Sequence, residues 1–146
     1  MRFLRRFDDW LCKHIWRMQK HPAVELLTVL NVTRDKIIAD QVLRANTSRL
    51  RRKGLLDHRS LQPGEGLWIL PCESVHTIGM KFAIDILYLD RKRRVRKVLC
   101  HVPAWRISCC LSAYSVLEVA AGTIAATGTE RGDILRIEPV ALPQAS

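Results

Sequence analysis

The sequence predicts a single, mainly β (α+β) domain: a compact barrel or sandwich of short strands with one or two short helices, preceded by an amphipathic N-terminal helix. Three observations support this class. Short apolar runs recur along the body, turn-forming residues separate them, and helical periodicity is confined to the N-terminus and one short segment. A chain of 146 residues, 48% of them hydrophobic, is long enough and apolar enough for one globular core. We divide it into an arm, residues 1–22, and a β-rich body, residues 23–146.

The arm has the periodicity of a basic amphipathic helix over residues 3–19. Apolar residues recur every three or four positions: Phe3, Phe7, Leu11, Ile15 and Met18. Six basic and two acidic residues give it a net charge of 6 − 2 = +4. Pro22 ends the pattern, because the residue before a proline avoids the helical region. We expect the apolar stripe to pack on protein, either on the body or on a second copy, with a membrane surface as the alternative.

The first half of the body begins with a predicted hairpin. Residues 24–32 and 37–43 are strand-like, and the polar residues 33–36 form the turn between them. Capping side chains at Asn46, Thr47 and Ser48 then precede a short helix or helical turn over residues 48–57. A loop at residues 62–66 leads into a short apolar strand, residues 67–70.

The second half contains the strongest strand, residues 82–89, with a charged turn at 90–94 and a partner strand at 95–102. Residues 107–111 are ambiguous and residues 123–127 are too mixed to assign. A strand is predicted at 114–119 and a turn at 130–133. Residues 134–140 are predicted to close the body as an edge strand, because Pro139 cannot donate to a further ladder.

The charge of the chain favours anionic partners without choosing among them. The formal net charge is +10 and the isoelectric point is about 10.0, which suits nucleic acid, an anionic membrane, an acidic protein or a small anion equally well. No segment reaches the length of a membrane span, and no signal peptide is evident, so we expect a cytoplasmic protein with at most a peripheral membrane contact through the arm. The odd number of cysteines, five, favours reduced thiols.

Polar residues concentrate between positions 71 and 90, where a loop enters the strongest strand. Asp85 shares a strand face with Ala83, Leu87 and Leu89, so a structural partner is expected for it. One interpretation makes Asp85 an acceptor for loop N–H groups or a member of an internal ion pair with Lys81 or Arg51. The other makes Asp85 and Lys81 part of a polar pocket.

The spacing of the cysteines and histidines bears on two further interpretations, a metal site and a nucleophilic enzyme. Cys72 and His76 are four apart, but with Cys100, His101, Cys109 and Cys110 they form no regular ligand pattern, so neither a metal nor a cofactor is predicted. A Cys72–His76 pair oriented by Asp85 or Glu118 has the residue types of a nucleophilic enzyme. The basic clusters at residues 49–53 and 91–97, with Trp105, suggest single-stranded nucleic acid as a further alternative, although no recognition motif is present.

Residues 31–137 resemble the family known as domain of unknown function 192. The matching positions are Arg51 before Gly54, Met80-Lys81, Ile84-Asp85, Leu117-Glu118 before Gly122, and Gly132-Asp133. The sequence departs from the family at Ile78-Gly79, where aromatics are frequent, at Ala83, where proline is frequent, and at His58, where arginine is usual. The resemblance implies a compact, mainly β fold and no established reaction, so no catalytic residue is carried over.

We therefore predict a non-catalytic binding or accessory module for an anionic or polar small ligand. The predicted binding residues are Arg51, His76, Met80, Lys81, Asp85, Trp105 and Glu118. At the strand entrance Arg51 and Lys81 outnumber Asp85 when His76 is neutral, which favours an anionic group on the ligand.

Overall fold

The computed structural model describes residues 25–140, which form nine strands and two short helices. The strands are β1 (Leu26–Asn31), β2 (Lys36–Ala45), β3 (Glu65–Ile69), β4 (Ser74–His76), β5 (Ile84–Leu89), β6 (Val95–Val102), β7 (Ile107–Cys109), β8 (Ser115–Ala120) and β9 (Leu135–Pro139); the helices are α1 (Ser48–Lys53) and α2 (Thr123–Thr127). The predicted helix at residues 3–19 lies outside the described residues. Neither α1 nor α2, the two helices of the described part, is long and apolar enough to cross a membrane.

Seven strands form one curled sheet, a half-barrel, which confirms the predicted mainly β class. The strand order is β6-β5-β8-β3-β2-β1-β9, and β4 pairs with β7 in a separate two-stranded ribbon. All neighbours are antiparallel except β2 and β3, whose parallel pairing requires the crossover that contains α1. The two edge strands approach each other at one end, where Val95 N–H donates to the Asp133 carbonyl and Leu135 N–H to the Arg93 carbonyl.

Both faces of the sheet are buried, so residues 25–140 contain two hydrophobic cores. The inner core takes side chains from all seven strands of the sheet, among them Leu117 and Val119 of β8. The outer core takes the alternate residues of the central strands, among them Val116 and Ile86, and is covered by α1, β4 and their flanking loops. Every residue of β5 and β8 is buried for this reason.

Local signals predicted most element positions well. Thr47 is the N-cap of α1 and its Oγ1 accepts from Leu50 N–H, while the C-cap Gly54, with φ of 48°, follows a helix that ends four residues earlier than predicted. The predicted edge position of β9 is confirmed. The ribbon strand β4 was not predicted, because it has only three residues, and α2 falls where the sequence allowed no assignment.

A buried polar network joins β1 to the turn before β9. Asp133 accepts hydrogen bonds from Asn31 Nδ2 at 2.8 Å, Arg34 Nε at 2.7 Å and Glu130 N–H at 3.0 Å. Burial alone would raise the pKa of Asp133, but the hydrogen bonds from Asn31 and Arg34 outweigh it, so that pKa lies below its ordinary value. The Gly132-Asp133 motif is therefore a structural element of the fold.

We expect Asp133→Ala to lower the free energy of unfolding by ~3 kcal/mol, because it removes the acceptor of three hydrogen bonds and leaves the buried Asn31 amide with Thr129 Oγ1 as its one remaining acceptor. Urea denaturation measures this. Glu130→Ala is the matched control: it removes an exposed partner of Arg34 and should cost at most ~1 kcal/mol. Equal losses in the two variants would contradict the structural role given to Asp133.

Candidate functional site

A cleft of about 1200 Å³ opens on the outer face of the sheet. Its walls come from the end of α1 and the following loop, from residues 71–76, from the turn at 90–92, and from residues 112–114. Glu118 of β8 and Ile69 of β3 form part of its floor. The cleft therefore lies where the outer core is incompletely covered, and it brings together segments that are distant in sequence.

Glu118 is a buried acidic residue at the floor of this cleft. Its side chain points to the outer face of β8, and its cross-strand partners are Leu67 of β3 and Ile86 of β5. The residue is only 4% exposed, and within residues 25–140 its carboxyl has neither a hydrogen-bond partner nor an ion pair. Burial raises the pKa of Glu118 to about 7. A buried carboxyl without a partner is costly to the fold, and such groups concentrate at functional sites.

Arg51 is fixed at the cleft wall by the backbone. It stands in the last turn of α1, and its Nη1 donates to the carbonyl oxygens of Asn46 at 3.0 Å and Leu70 at 3.3 Å. Its Nη2 donates to Ser48 Oγ at 3.2 Å. These contacts anchor α1 to the end of β3 and place a permanent cation in the cleft.

The thiol of Cys72 lines the same cleft as Glu118 and Arg51. Its Sγ donates to the Ser74 carbonyl oxygen at 3.1 Å. Burial raises the pKa of Cys72, and the charges of Glu118 and Arg51 act on it with opposite signs. The thiol is therefore held in its neutral, weakly nucleophilic form.

The rim of the cleft is basic. Arg52 and Lys53 stand on the α1 side, and Arg91 and Lys92 on the side of the turn between β5 and β6. The guanidinium of Arg91 lies 4.1 Å from the centre of the Tyr114 ring, which orients it. Five cations, including Arg51, and two acids besides Glu118, the exposed Glu73 and the half-buried Asp90, line the cleft, so with Glu118 protonated its net charge is 5 − 2 = +3.

The cleft brings together four of the seven predicted binding residues, namely Arg51, His76, Met80 and Glu118. Lys81 and Trp105 are exposed outside it, and Asp85 is buried elsewhere. The sequence prediction did not include Tyr114 or the rim residues Arg52, Arg91 and Lys92. The basic clusters were visible in the sequence, but nothing local indicated that they face one cleft.

Asp85 points to the inner core, on the opposite side of the sheet from Glu118. Its cross-strand partner is Val119, and its oxygens accept three backbone N–H groups: His101 at 2.8 Å, Gly122 at 3.1 Å and Ile124 at 2.8 Å. The interpretation of Asp85 as an acceptor for loop N–H groups is therefore confirmed. The internal ion pair with Lys81 or Arg51 was wrong, because the donors are backbone amides and Arg51 donates to backbone carbonyls.

The same geometry separates Asp85 from Cys72 and His76, which belong to the outer layer. Of the four residues that could form a nucleophilic site by residue type, Cys72, His76 and Glu118 share the cleft and Asp85 does not. Within residues 25–140, Cys72, Cys100, Cys109 and Cys110 are free thiols, and no three His, Cys, Asp or Glu side chains are arranged to hold a metal ion.

The fold and the site define a small β half-barrel domain with a basic cleft around a buried carboxyl. The sequence of residues 29–137 matches the domain of unknown function 192 family, described as an uncharacterized ACR, and the chain belongs to that family. No curated protein sequence matches the chain.

Two solved structures share the fold at 22% sequence identity. One is a protein of unknown function from Novosphingobium aromaticivorans DSM 12444, with a TM-score of 0.67 over 80% of this chain and 89% of that one. The other, from Sinorhizobium meliloti 1021, is named provisionally as a transcription regulator, with a TM-score of 0.67 over 82% of this chain and 96% of that one. At this identity the likeness shows the architecture alone.

Proposed function

We propose that the protein is a non-catalytic binding module that holds a small anionic ligand, one that also carries hydroxyl or amide groups, in the outer cleft. The observation that supports this most directly is the buried, unpartnered carboxyl of Glu118 at the floor of the cleft. A ligand hydroxyl or amide would supply the hydrogen bond that the protein does not. An apolar residue would suit the neighbours Leu67 and Ile86 better, so the carboxyl has a cost to stability.

The basic rim supports an anionic group on the same ligand. Arg51 is held in place before any ligand arrives, so little side-chain entropy is lost on binding. Arg52, Lys53, Arg91 and Lys92 surround the opening and attract negative charge. Phosphorylated or carboxylated metabolites with hydroxyl groups combine both requirements, since the anion suits the rim and a hydroxyl suits a protonated Glu118.

The raised pKa of Cys72 argues against the nucleophilic alternative, because a neutral thiol reacts poorly. Nucleic acid could also use the basic rim, and the provisional name of the Sinorhizobium meliloti relative makes it the natural competitor in a binding test. It would, however, gain nothing from a single carboxyl at the base of a cleft.

We expect Glu118→Leu to separate binding from stability. Filling the floor with an apolar side chain should raise the free energy of unfolding near neutral pH by ~1–3 kcal/mol while abolishing ligand binding. Thermal unfolding of both proteins would be followed with a panel of phosphorylated and carboxylated metabolites and single-stranded oligonucleotides, because a ligand that binds only the folded state raises the melting temperature. The wild type should respond to a small anion, and the variant should melt higher yet not respond.

Two arginines of α1 test whether the positive charge of the rim contributes to ligand binding. Arg52→Gln should weaken binding of the responding ligand about tenfold, whereas Arg49→Gln, an exposed residue of α1 that does not line the cleft, should leave it unchanged. A response to oligonucleotides alone, reduced equally by both arginine variants, would contradict the small-ligand proposal in favour of nucleic acid.

A further inference from the structure

The β4–β7 ribbon carries an exposed apolar surface that the cleft does not use. Of the six large apolar side chains exposed within residues 25–140, four belong to the ribbon and its flanking loops: Ile78 (39%), Trp105 (68%), Ile107 (76%) and Leu111 (82%). We name these four the ribbon surface. In the antiparallel ribbon Val75 and Ser108 are turned inward, while Ile107 and its partner His76 are turned to solvent.

The loop around Trp105 is held by hydrogen bonds rather than by apolar packing of that ring. The backbone N–H of Trp105 donates to the Thr77 carbonyl at 3.0 Å, and the backbone N–H of Thr77 donates to the Arg106 carbonyl at 2.8 Å. Thr77 Oγ1 donates to the Pro103 carbonyl at 2.7 Å. Trp105 itself has φ of 65°, a left-handed conformation that is unfavourable for a bulky residue. A well-anchored loop thus presents an indole ring to solvent in a strained backbone conformation, and such strain concentrates at functional surfaces.

Cations surround the ribbon surface. Lys97 Nζ donates to Ser108 Oγ at 3.1 Å and to the Cys109 carbonyl at 3.0 Å, and Arg96 Nε reaches Ser112 Oγ at 3.4 Å. Lys81 and Arg106 are exposed beside the loops of the same surface. Lys97 lies beneath the ribbon, because the Ser108 side chain that it contacts is turned inward. The other three cations stand against one exposed acid in the adjoining segments, Glu73, so the local balance is 3 − 1 = +2.

We propose that the ribbon surface docks on an anionic lipid bilayer. A tryptophan belongs at the level of the headgroups, aliphatic side chains enter the boundary with the acyl chains, and the surrounding cations meet the anionic headgroups. A nucleic acid would make use of one aromatic ring and the cations but would gain nothing from Ile107 and Leu111. An acidic protein would satisfy the charges, yet it would desolvate them against a surface whose centre is aliphatic.

The test is cosedimentation of the full chain with vesicles. We expect binding to phosphatidylcholine vesicles that contain phosphatidylserine and little binding to phosphatidylcholine alone, with salt weakening the interaction. The double variant Trp105→Ser with Ile107→Ser should bind at least about tenfold more weakly. Ile37→Ser is the matched control, because Ile37 is 62% exposed on β2, outside the ribbon, and this variant should bind as the wild type does.

Charge is tested with a second matched pair. Arg106→Gln should weaken vesicle binding, whereas Arg136→Gln, an exposed position on β9, should not. The substitutions lie on the surface, so an unchanged melting temperature shows that each variant is folded.

Three results would overturn the proposal. The first is no binding to either vesicle. The second is binding that the ribbon variants leave intact, which would assign the contact to another part of the chain. The third is a ribbon-dependent dimer in sedimentation velocity without vesicle binding, which would identify the surface as a contact between copies.

Discussion

Replacement of Asp85 by alanine is expected to lower the free energy of unfolding by ~4 kcal/mol, the largest effect of any single substitution that we predict. Asp85 is fully buried, and its two carboxylate oxygens accept three backbone N–H groups. Hydrogen bonds to a charged acceptor contribute more than neutral ones, and buried donors left without an acceptor add their desolvation cost. Chemical denaturation monitored by circular dichroism measures the loss.

The position of the three donors explains why the effect should be large. Gly122 and Ile124 N–H belong to the first turn of α2, so the Asp85 carboxylate acts as the capping group that Gly122 lacks. The third donor is His101, which has φ of 49° beside an irregularity in the pairing of β5 with β6. One side chain therefore fixes the start of a helix and an irregular point in the neighbouring strand.

Asp40→Ala is the matched control for this substitution, because Asp40 is exposed on β2 and should change stability by no more than about 0.5 kcal/mol. Hydrogen exchange adds a local measurement: the amides of Gly122 and Ile124 should lose protection in the Asp85 variant. A loss of stability below ~1 kcal/mol with protection retained would show that solvent or another acceptor replaces Asp85.

The second large effect is a pH dependence that arises from Glu118. Its pKa is about 7 in the folded protein, against an ordinary value of 4.5, so the folded state holds the proton more tightly than the unfolded state does. The stabilisation is therefore fully present below about pH 4.5 and is lost as the pH rises toward 7. The pKa difference is 7 − 4.5 = 2.5, which corresponds to about 3 kcal/mol.

Glu118→Gln isolates this contribution, because glutamine has the same size and no titration. We expect the free energies of unfolding of wild type and variant to differ little at about pH 4. At about pH 8 the free energy of unfolding of the wild type should be lower by about 3 kcal/mol. Other titrating groups cancel in the difference between the two proteins. A difference that stays constant across this range would mean that the Glu118 carboxyl is hydrated in solution, and it would remove the main support for the cleft as a binding site.

Much of the β architecture follows from local sequence. The strands at residues 26–31, 36–45, 84–89, 95–102 and 115–120 coincide with apolar or alternating runs, and turn residues separate them. Thr47 begins α1 and Gly54 ends it, because a side-chain cap and a positive φ are local requirements. The three-residue strand β4 offers no such pattern, since it forms only by pairing with β7, about thirty residues further along the chain.

The candidate site was only partly accessible to sequence analysis. Asp85 and Glu118 appear equivalent in sequence, since each is an acid within an apolar strand. Strand alternation could assign each residue to a face of its strand, but it could not say which face encloses backbone donors and which opens into a cleft.

The sequence by itself determined the mainly β class, the positions of most strands along the chain, the start of α1 and the presence of two acids within apolar strands. Only the tertiary structure decided what those acids do. The donors to Asp85 are 16, 37 and 39 residues away, and the walls of the Glu118 cleft come from four separate segments. Local patterns reflect backbone preference and burial. The partners of a buried charge depend on which distant segments the closing sheet brings together.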